Sequence, residues 1–241
     1  MTQLATFLKA QTNGQKDPAI LHRTFEAEQT LAILRWAVER YFPKITLACS
    51  FGAEDVVLFD MISRVNKKVR VFYLDTQLHF KETLETRDRL VERYGITPVA
   101  MKPKLTAEQQ VEEHGEALWE RNPTLCCNLR KVEPLTRALA EQDAWITGIR
   151  RQQAPTRANT ALVENDEKFG LIKINPLAHW RDDDVWNYIR EHDVPYNPLH
   201  DRDYPSIGCN TSVCTRPVKP GEDPRSGRWA GFAKTECGLH K

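Results

Sequence analysis

Apolar residues recur along this chain at two spacings, and their order along the sequence defines its elements. Leu31, Ile33, Leu34, Ala37 and Val38 fall at helical intervals within 28–41, and the short apolar run over 45–49 that follows predicts a buried strand. Residues 53–65 are helical in pattern, 69–74 form a second apolar, β-branched run, and 80–94 predict a third helix leading to a strand near 97–101. This alternation is βαβαβ, which implies a parallel sheet with right-handed crossovers. Further strands over 144–147 and 171–174, with a helix from about 127 to 141 before the first of them, extend the sheet. Beyond Val194 the pattern is lost. Pro195, Pro198, Pro205, Pro217, Pro220 and Pro224 alternate with Gly208, Gly221, Gly227 and Gly231, a composition of turns and loops. The expected architecture is α/β: an open, mostly parallel Rossmann-like sheet flanked by helices. One domain spans 1–241, and 194–241 form an irregular C-terminal arm with a mobile tail.

Composition changes little in that picture. A chain of 241 residues with 41% hydrophobic and 28% charged positions can bury one ordinary core. Lys plus Arg at 34 against Asp plus Glu at 33 leaves a net charge of +1, which supplies no global attraction to nucleic acid or membrane, so any anion site is local. No long apolar span, internal repeat or low-complexity tract interrupts the chain.

Cysteine placement adds the first candidate chemistry. Cys237 stands in Glu236-Cys237-Gly238-Leu239-His240, where few contacts are expected to tie the chain down, so its thiol suits a swinging nucleophile better than a core. The first 16 residues lack the charged start and continuous apolar run of a secretory signal, and a reducing, cytoplasmic compartment is expected. There, clustered cysteines point to metal binding or catalysis rather than to disulfides. Cys126, Cys127, Cys209 and Cys214 are such a set, whereas Cys49, inside an apolar run, reads as a small buried hydrophobe.

Ligands of open α/β sheets sit at the carboxyl ends of strands. The first strand ends in Ser50-Phe51-Gly52, able to offer backbone N–H groups and a helix N-terminus to an anion; the second ends in Leu74-Asp75-Thr76. Capping and turn chemistry serve both segments equally well. Gly148-Ile149-Arg150-Arg151 follows another predicted strand, and Arg225 and Arg228 precede Cys237. Guanidinium forks suit phosphate or sulfate, and cations near a thiol favour the thiolate, against the plainer reading of a solvated basic loop. His79 and His240 are candidates for the site or for the surface, and Trp119, Trp145, Trp180 and Trp186 read as core.

Taken in order, Leu74-Asp75-Thr76, Cys126-Cys127-x-x-Arg130-Lys131, Gly148-x-Arg150-Arg151, Tyr204-Pro205-Ser206-Ile207-Gly208-Cys209, Gly227-Arg228-Trp229-Ala230-Gly231 and Glu236-Cys237-Gly238-Leu239-His240 resemble the sulfonucleotide reductases. These enzymes reduce adenosine 5′-phosphosulfate (APS) or its 3′-phosphorylated form (PAPS). The resemblance covers nearly all of the chain from about residue 45, and it implies an adenine nucleotide alpha-hydrolase-like fold. It also implies that Cys237 attacks the sulfonyl sulfur, expels AMP and becomes an S-sulfocysteine, from which reduced thioredoxin or a similar dithiol protein releases sulfite. By the same resemblance Lys131, Arg150, Arg225 and Arg228 bind the phosphosulfate, and Ser50, Phe51, Gly52, Asp75 and Thr76 belong to the nucleotide pocket.

The family's cluster-bearing branch, to which this chain is most similar, holds a 4Fe-4S cluster on four cysteines, here Cys126, Cys127, Cys209 and Cys214. Adjacent helical residues point about 100° apart, which strains two thiolates onto one ion but suits a cubane with several irons. Zinc and four plain structural thiols are the alternatives. Four residues separate Cys209 from Cys214 where the family pattern has two, which leaves a redox pair or a weaker cluster open. The cluster-bearing branch favours APS over PAPS, and the family is often oligomeric. Two further classes compete: ATP pyrophosphatases or adenylyl transferases, whose Ser-Gly-Gly-x-Asp-Ser loop is only partly matched by Ser50-Phe51-Gly52-Ala53-Glu54-Asp55, and a non-enzymatic iron–sulfur sensor.

Overall fold

The computed structural model of the chain describes residues 18–234 and 236–240. The expectation about residues 1–16 therefore lies outside the described residues. Helix α1 (Pro18–Tyr41) leads to strand β1 (Ile45–Ala48), then α2 (Ala53–Val65), β2 (Arg70–Leu74), α3 (Lys81–Tyr94) and β3 (Val99–Met101). Short helices α4 (Ala107–His114), α5 (Leu118–Arg121) and α6 (Pro123–Cys127) follow, and α6 runs through a π turn (Asn128–Val132) into α7 (Glu133–Leu139). The chain continues with β4 (Ala144–Ile146), β5 (Val163–Asp166), β6 (Leu171–Ile174) and α8 (Asp182–Glu191), after which short 3-10 and turn segments make up the arm.

The sheet has the order β3-β2-β1-β4-β6-β5. All pairings are parallel except β5 with β6, where Val163 faces Ile174 and Asp166 faces Leu171. Strand β1 is thus flanked by β2 and β4. The chain leaves β1 toward one edge and returns on its other side, which makes the β1–β4 boundary the switch point where such sheets bind ligands.

Alternation of side chains explains why the central strands read as unbroken apolar runs. Ile45, Leu47, Val71, Tyr73, Ala144 and Ile146 face a large core shared with α1, α2 and α8, while Phe72 and Trp145 face a smaller one built on Leu135, Ala138 and Leu139 of α7. Both faces are covered, so polarity at either face would be buried. Three departures from the sequence expectation have simple causes. β5 is Val-Glu-Asn-Asp, half exposed at the sheet edge, and carries no strand pattern. In α8, Val185, Tyr188 and Ile189 are buried at helical spacing inside a strongly charged segment whose periodicity was too short to predict a helix. The helix expected over 127–141 begins earlier, at Pro123, where the Asn122 side chain accepts from Leu125 N at 3.0 Å.

Candidate active site

A cleft of about 260 Å³ opens at the carboxyl ends of β1, β2 and β4 and is closed from above by the C-terminal arm. Ser50, Phe51, Gly52, Thr76, Lys131, Arg225, Arg228 and Cys237 all line it, together with Cys209 from the cysteine set. Tertiary structure thus brings eight of the ten predicted catalytic and substrate-binding residues to one wall-to-wall site.

Strained backbone frames that site. Phe51 (φ 63°), Gln77 (φ 59°) and Trp229 (φ 48°) adopt left-handed conformations directly beside Gly52, Thr76 and Arg228. Such a conformation costs a non-glycine residue about 1–2 kcal/mol and persists only where surrounding packing holds it. Phe51 and Trp229 are each 1% exposed, and the Phe51 ring packs on Tyr73 at 5.3 Å. Burial of the ring offsets the strain and fixes the turn between β1 and α2. Within that turn Ser50 donates from both N and Oγ to Asp55 Oδ2 at 2.6 Å, so its hydroxyl is committed to the loop itself. Burial pushes the Asp55 carboxyl up to about 6, against the pull of those two donors.

Two predicted residues stand outside the lining. Asp75 accepts from Gln77 N at 3.1 Å and lies 3.7 Å from His79 Nε2, while His79 itself does line the cleft and is held neutral by burial. Arg150 is 4% exposed and closed on Glu54 (2.7 Å) and Asp182 (2.9 Å), so its charge is spent inside the protein. Arg157, seven residues further on, occupies the place expected for it. It lines the cleft, and the only sequence signal for it was a third arginine in the same basic loop.

Cys237 therefore shares the cleft with four cations: Lys131, Arg157, Arg225 and Arg228. Arg228 is oriented by bonds to Cys214 O (2.8 Å), Ser206 Oγ (3.0 Å) and Ile207 O (3.3 Å), and its guanidinium stacks 4.8 Å from the Trp229 ring. The segment carrying Cys237, expected to be mobile, is docked here on both sides of the thiol. Glu236 pairs with Arg157 at 2.7 Å and Arg225 at 3.3 Å; Lys168 Nζ donates to Gly238 O; Leu239 packs on the smaller core; and His240 stacks on Trp145 at 5.7 Å. Burial and the surrounding cations, Lys173 first, hold His240 neutral. Trp145 is both core and cleft lining.

Cys126, Cys127, Cys209 and Cys214 are each 6% exposed and all four are free thiols. The Cys214 thiol hydrogen-bonds the Cys209 sulfur and favours its thiolate, opposed by burial and aided by Lys131 and Thr76, whose Oγ1 lies 3.5 Å away. The four-residue interval therefore folds back and keeps its two sulfurs together. Burial and the neighbouring sulfurs of Cys127 and Cys209 push the Cys126 thiol up to about 11, an environment in which ionisation needs a compensating cation. Arg130 supplies one from the π turn. It is 2% exposed, bonded to Thr76 O at 2.9 Å, and its Nε is buried without a partner. Among the described residues no three His, Cys, Asp or Glu side chains converge to hold a single metal ion.

Residues 44–217 match the phosphoadenosine phosphosulfate reductase domain family. The chain is 50% identical to the adenosine 5′-phosphosulfate reductase of Halalkalibacterium halodurans, over 92% of this chain and 95% of that protein. It is 53% identical to adenosine 5′-phosphosulfate reductase 1 of Bacillus subtilis, over 88% and 90% of the two chains. The crystal structure of a Candida auris phosphoadenylyl-sulfate reductase in a phosphate complex superposes with a TM-score of 0.68 at 36% identity, covering 81% of this chain and 98% of that one. A Candida glabrata FMN adenylyltransferase shares the fold alone, with a TM-score of 0.62 at 16% identity over 86% and 68% of the two chains. On the strength of the domain match and of relatives alike over nearly their whole length, this chain belongs to the sulfonucleotide (phosphoadenosine phosphosulfate) reductase family.

Proposed function

We propose that this protein reduces APS to sulfite and AMP, with Cys237 as the nucleophile and a thioredoxin-like dithiol protein as reductant. The observation that carries the reading is the convergence of Cys237 with Lys131, Arg157, Arg225 and Arg228 on one cleft at the sheet's switch point. The cations hold the phosphosulfate. The Cys237 thiolate attacks the sulfonyl sulfur: a sulfur–sulfur bond forms, the sulfur–oxygen bond to the phosphate breaks, and its electron pair leaves on AMP. Charge gathering on that phosphate oxygen is stabilised by the same fixed cations. A thiolate of the dithiol then attacks Cys237 Sγ and expels sulfite, and the second thiol resolves the mixed disulfide, so two electrons pass from dithiol to sulfite. The docked segment must swing out for this second step, which ionic and stacking contacts permit.

The buried cysteines fit a 4Fe-4S cluster. Four thiols, two adjacent cations and the unpartnered Arg130 Nε suit an anionic group with sulfur acceptors. Cys126, Cys127, Cys209 and Cys214 would hold it, and it would supply a covalent tie between the end of α6 and the C-terminal arm and a negative charge that Lys131, already attracted by the Cys209 and Cys127 sulfurs, would offset. The naming of the 50–53% identical relatives as APS reductases favours APS, and the 36% identical Candida auris enzyme makes PAPS the second reading. No described helix is long and apolar enough to cross a membrane, in keeping with a cytoplasmic enzyme.

The test is anaerobic sulfite production from APS and from PAPS by wild type and Cys237→Ser, with reduced thioredoxin supplied and iron quantified. Sulfite from APS that vanishes in the variant is expected, with about four irons per chain. Inactivity of iron-replete wild type on both nucleotides rejects the reading, and the ratio of the two rates decides between the substrates.

A further inference from the structure

Glu236 immediately precedes the candidate nucleophile, yet its side chain is 7% exposed and faces away from solvent. Its carboxylate accepts from Arg157 Nε at 2.8 Å and Nη2 at 2.7 Å, from Arg225 Nη2 at 3.3 Å and from Thr156 Oγ1 at 3.2 Å. Burial alone would raise this carboxyl, but Arg157 and Arg225 more than reverse it and hold it ionised. Both arginines also line the cleft. A carboxylate on the moving segment is therefore shared between two cations of the fixed site, one residue from the sulfur that must enter that site.

We propose that Glu236 is a positioning residue: its carboxylate, clasped by Arg157 and Arg225, seats Cys237 over the cleft for the first chemical step and lets the segment go for the second. The inference rests on the reaction proposed above. Its physical basis is that a charge-assisted contact is directional and strong while made, yet both partners are readily solvated when it opens. On the other side of Cys237 the segment is held by apolar and stacking contacts of Leu239 and His240, so Glu236 supplies the anchor that sets the position of Sγ from the near side. Removing it leaves Cys237 and every cleft cation in the chain, while Arg157 and Arg225 lose the partner they share.

The experiment compares wild type, Glu236→Gln and Glu236→Asp as full-length, iron-replete enzyme. Alkylation of Cys237 by iodoacetamide, followed by peptide mass, reads how often the segment leaves the cleft; AMP release from APS in a single turnover without dithiol reads the first step. In Glu236→Gln, alkylation is expected to accelerate and AMP release to slow, each by roughly 10- to 100-fold. AMP affinity should not fall, because Arg157 and Arg225 stay in the cleft; melting temperature should drop only by the few degrees that one lost buried partner costs, and Glu236→Asp should fall between the two. Unchanged alkylation and AMP release overturn the proposal. A parallel loss of AMP affinity, melting temperature and turnover also overturns it, since that is a structural role. If no variant releases AMP while alkylation still accelerates, the reaction assignment fails and the seating role stands.

Discussion

The Arg150 guanidinium is closed on the Glu54 carboxylate, Nε to Oε1 at 2.8 Å and Nη2 to Oε1 at 2.7 Å. Burial pushes the Glu54 carboxyl up, and the positive charge of Arg150 outweighs it, so the pair is ionised within the first turn of α2. Removing one member leaves the other buried and uncompensated. Arg150→Leu is expected to destabilise the protein by about 3–5 kcal/mol in urea unfolding. A variant of normal stability with lost substrate affinity would show instead that Arg150 reaches the ligand.

Arg157 has the opposite profile. It lines the cleft, and its Glu236 partner keeps Arg225 as a second cation. Arg157→Gln is expected to slow single-turnover AMP release by roughly 100-fold, the loss of one charge-assisted contact to a developing anion, and to cost about 1–3 kcal/mol in stability, because the buried Glu236 carboxylate loses two of its donors. Equal first-step rates in variant and wild type would remove Arg157 from the site.

Asp55 links the turn between β1 and α2 to pH. Its folded carboxyl titrates at about 6, raised by burial from an ordinary value of 3.8. A raised carboxyl favours the protonated folded state, so this stability is fully present below about pH 3.8 and is lost as pH rises through about 6. Relative to Asp55→Asn, wild type should lose on the order of 3 kcal/mol over that interval, at about 1.36 kcal/mol per pH unit of displacement. A pH-independent difference between the two unfolding curves would contradict it.

Gly208 lies where Arg228 passes. A methyl group at its Cα would come within 2.3 Å of Arg228 Nη2 and 2.7 Å of Cζ, and Arg228 is tied down by its bonds to Cys214 O and Ser206 Oγ. Gly208→Ala should displace that guanidinium, cost about 1–3 kcal/mol in stability and slow sulfite formation roughly 10-fold or more. A variant with wild-type kinetics would show that Arg228 has room to yield.

Iron content separates the cysteines. Cys209→Ser and Cys214→Ser are each expected to lower iron from about four per chain toward zero, because a cubane needs all four thiolates. Cys49→Ser should retain it, since Cys49 is buried in the core beside β1, with its thiol raised by burial and by the Asp55 charge. Full iron in Cys214→Ser would favour a redox or purely structural role for the Cys209–Cys214 pair.

The central sheet was legible in the amino-acid order because β1, β2, β4 and β6 are buried on both faces and so must be apolar at nearly every position. α2 matches its expected range, 53–65, to the residue. Edge strand β5 was not legible, since half of it meets water and nothing selects an apolar pattern. Chemistry divides in the same way. Residue type and spacing singled out Cys237, the other clustered cysteines and the basic character of the site, because thiols and guanidinia are informative wherever they stand. Sequence could not decide which arginine lines the cleft. Arg150 and Arg157 share one loop and one chemistry, but Arg150 points at Glu54 and Asp182 while Arg157 points into the cleft. The docking of Glu236 and His240 was likewise decided only by tertiary structure, because a contact between the C-terminal segment and residues about 80–95 positions earlier depends on how the sheet returns on itself rather than on any local pattern.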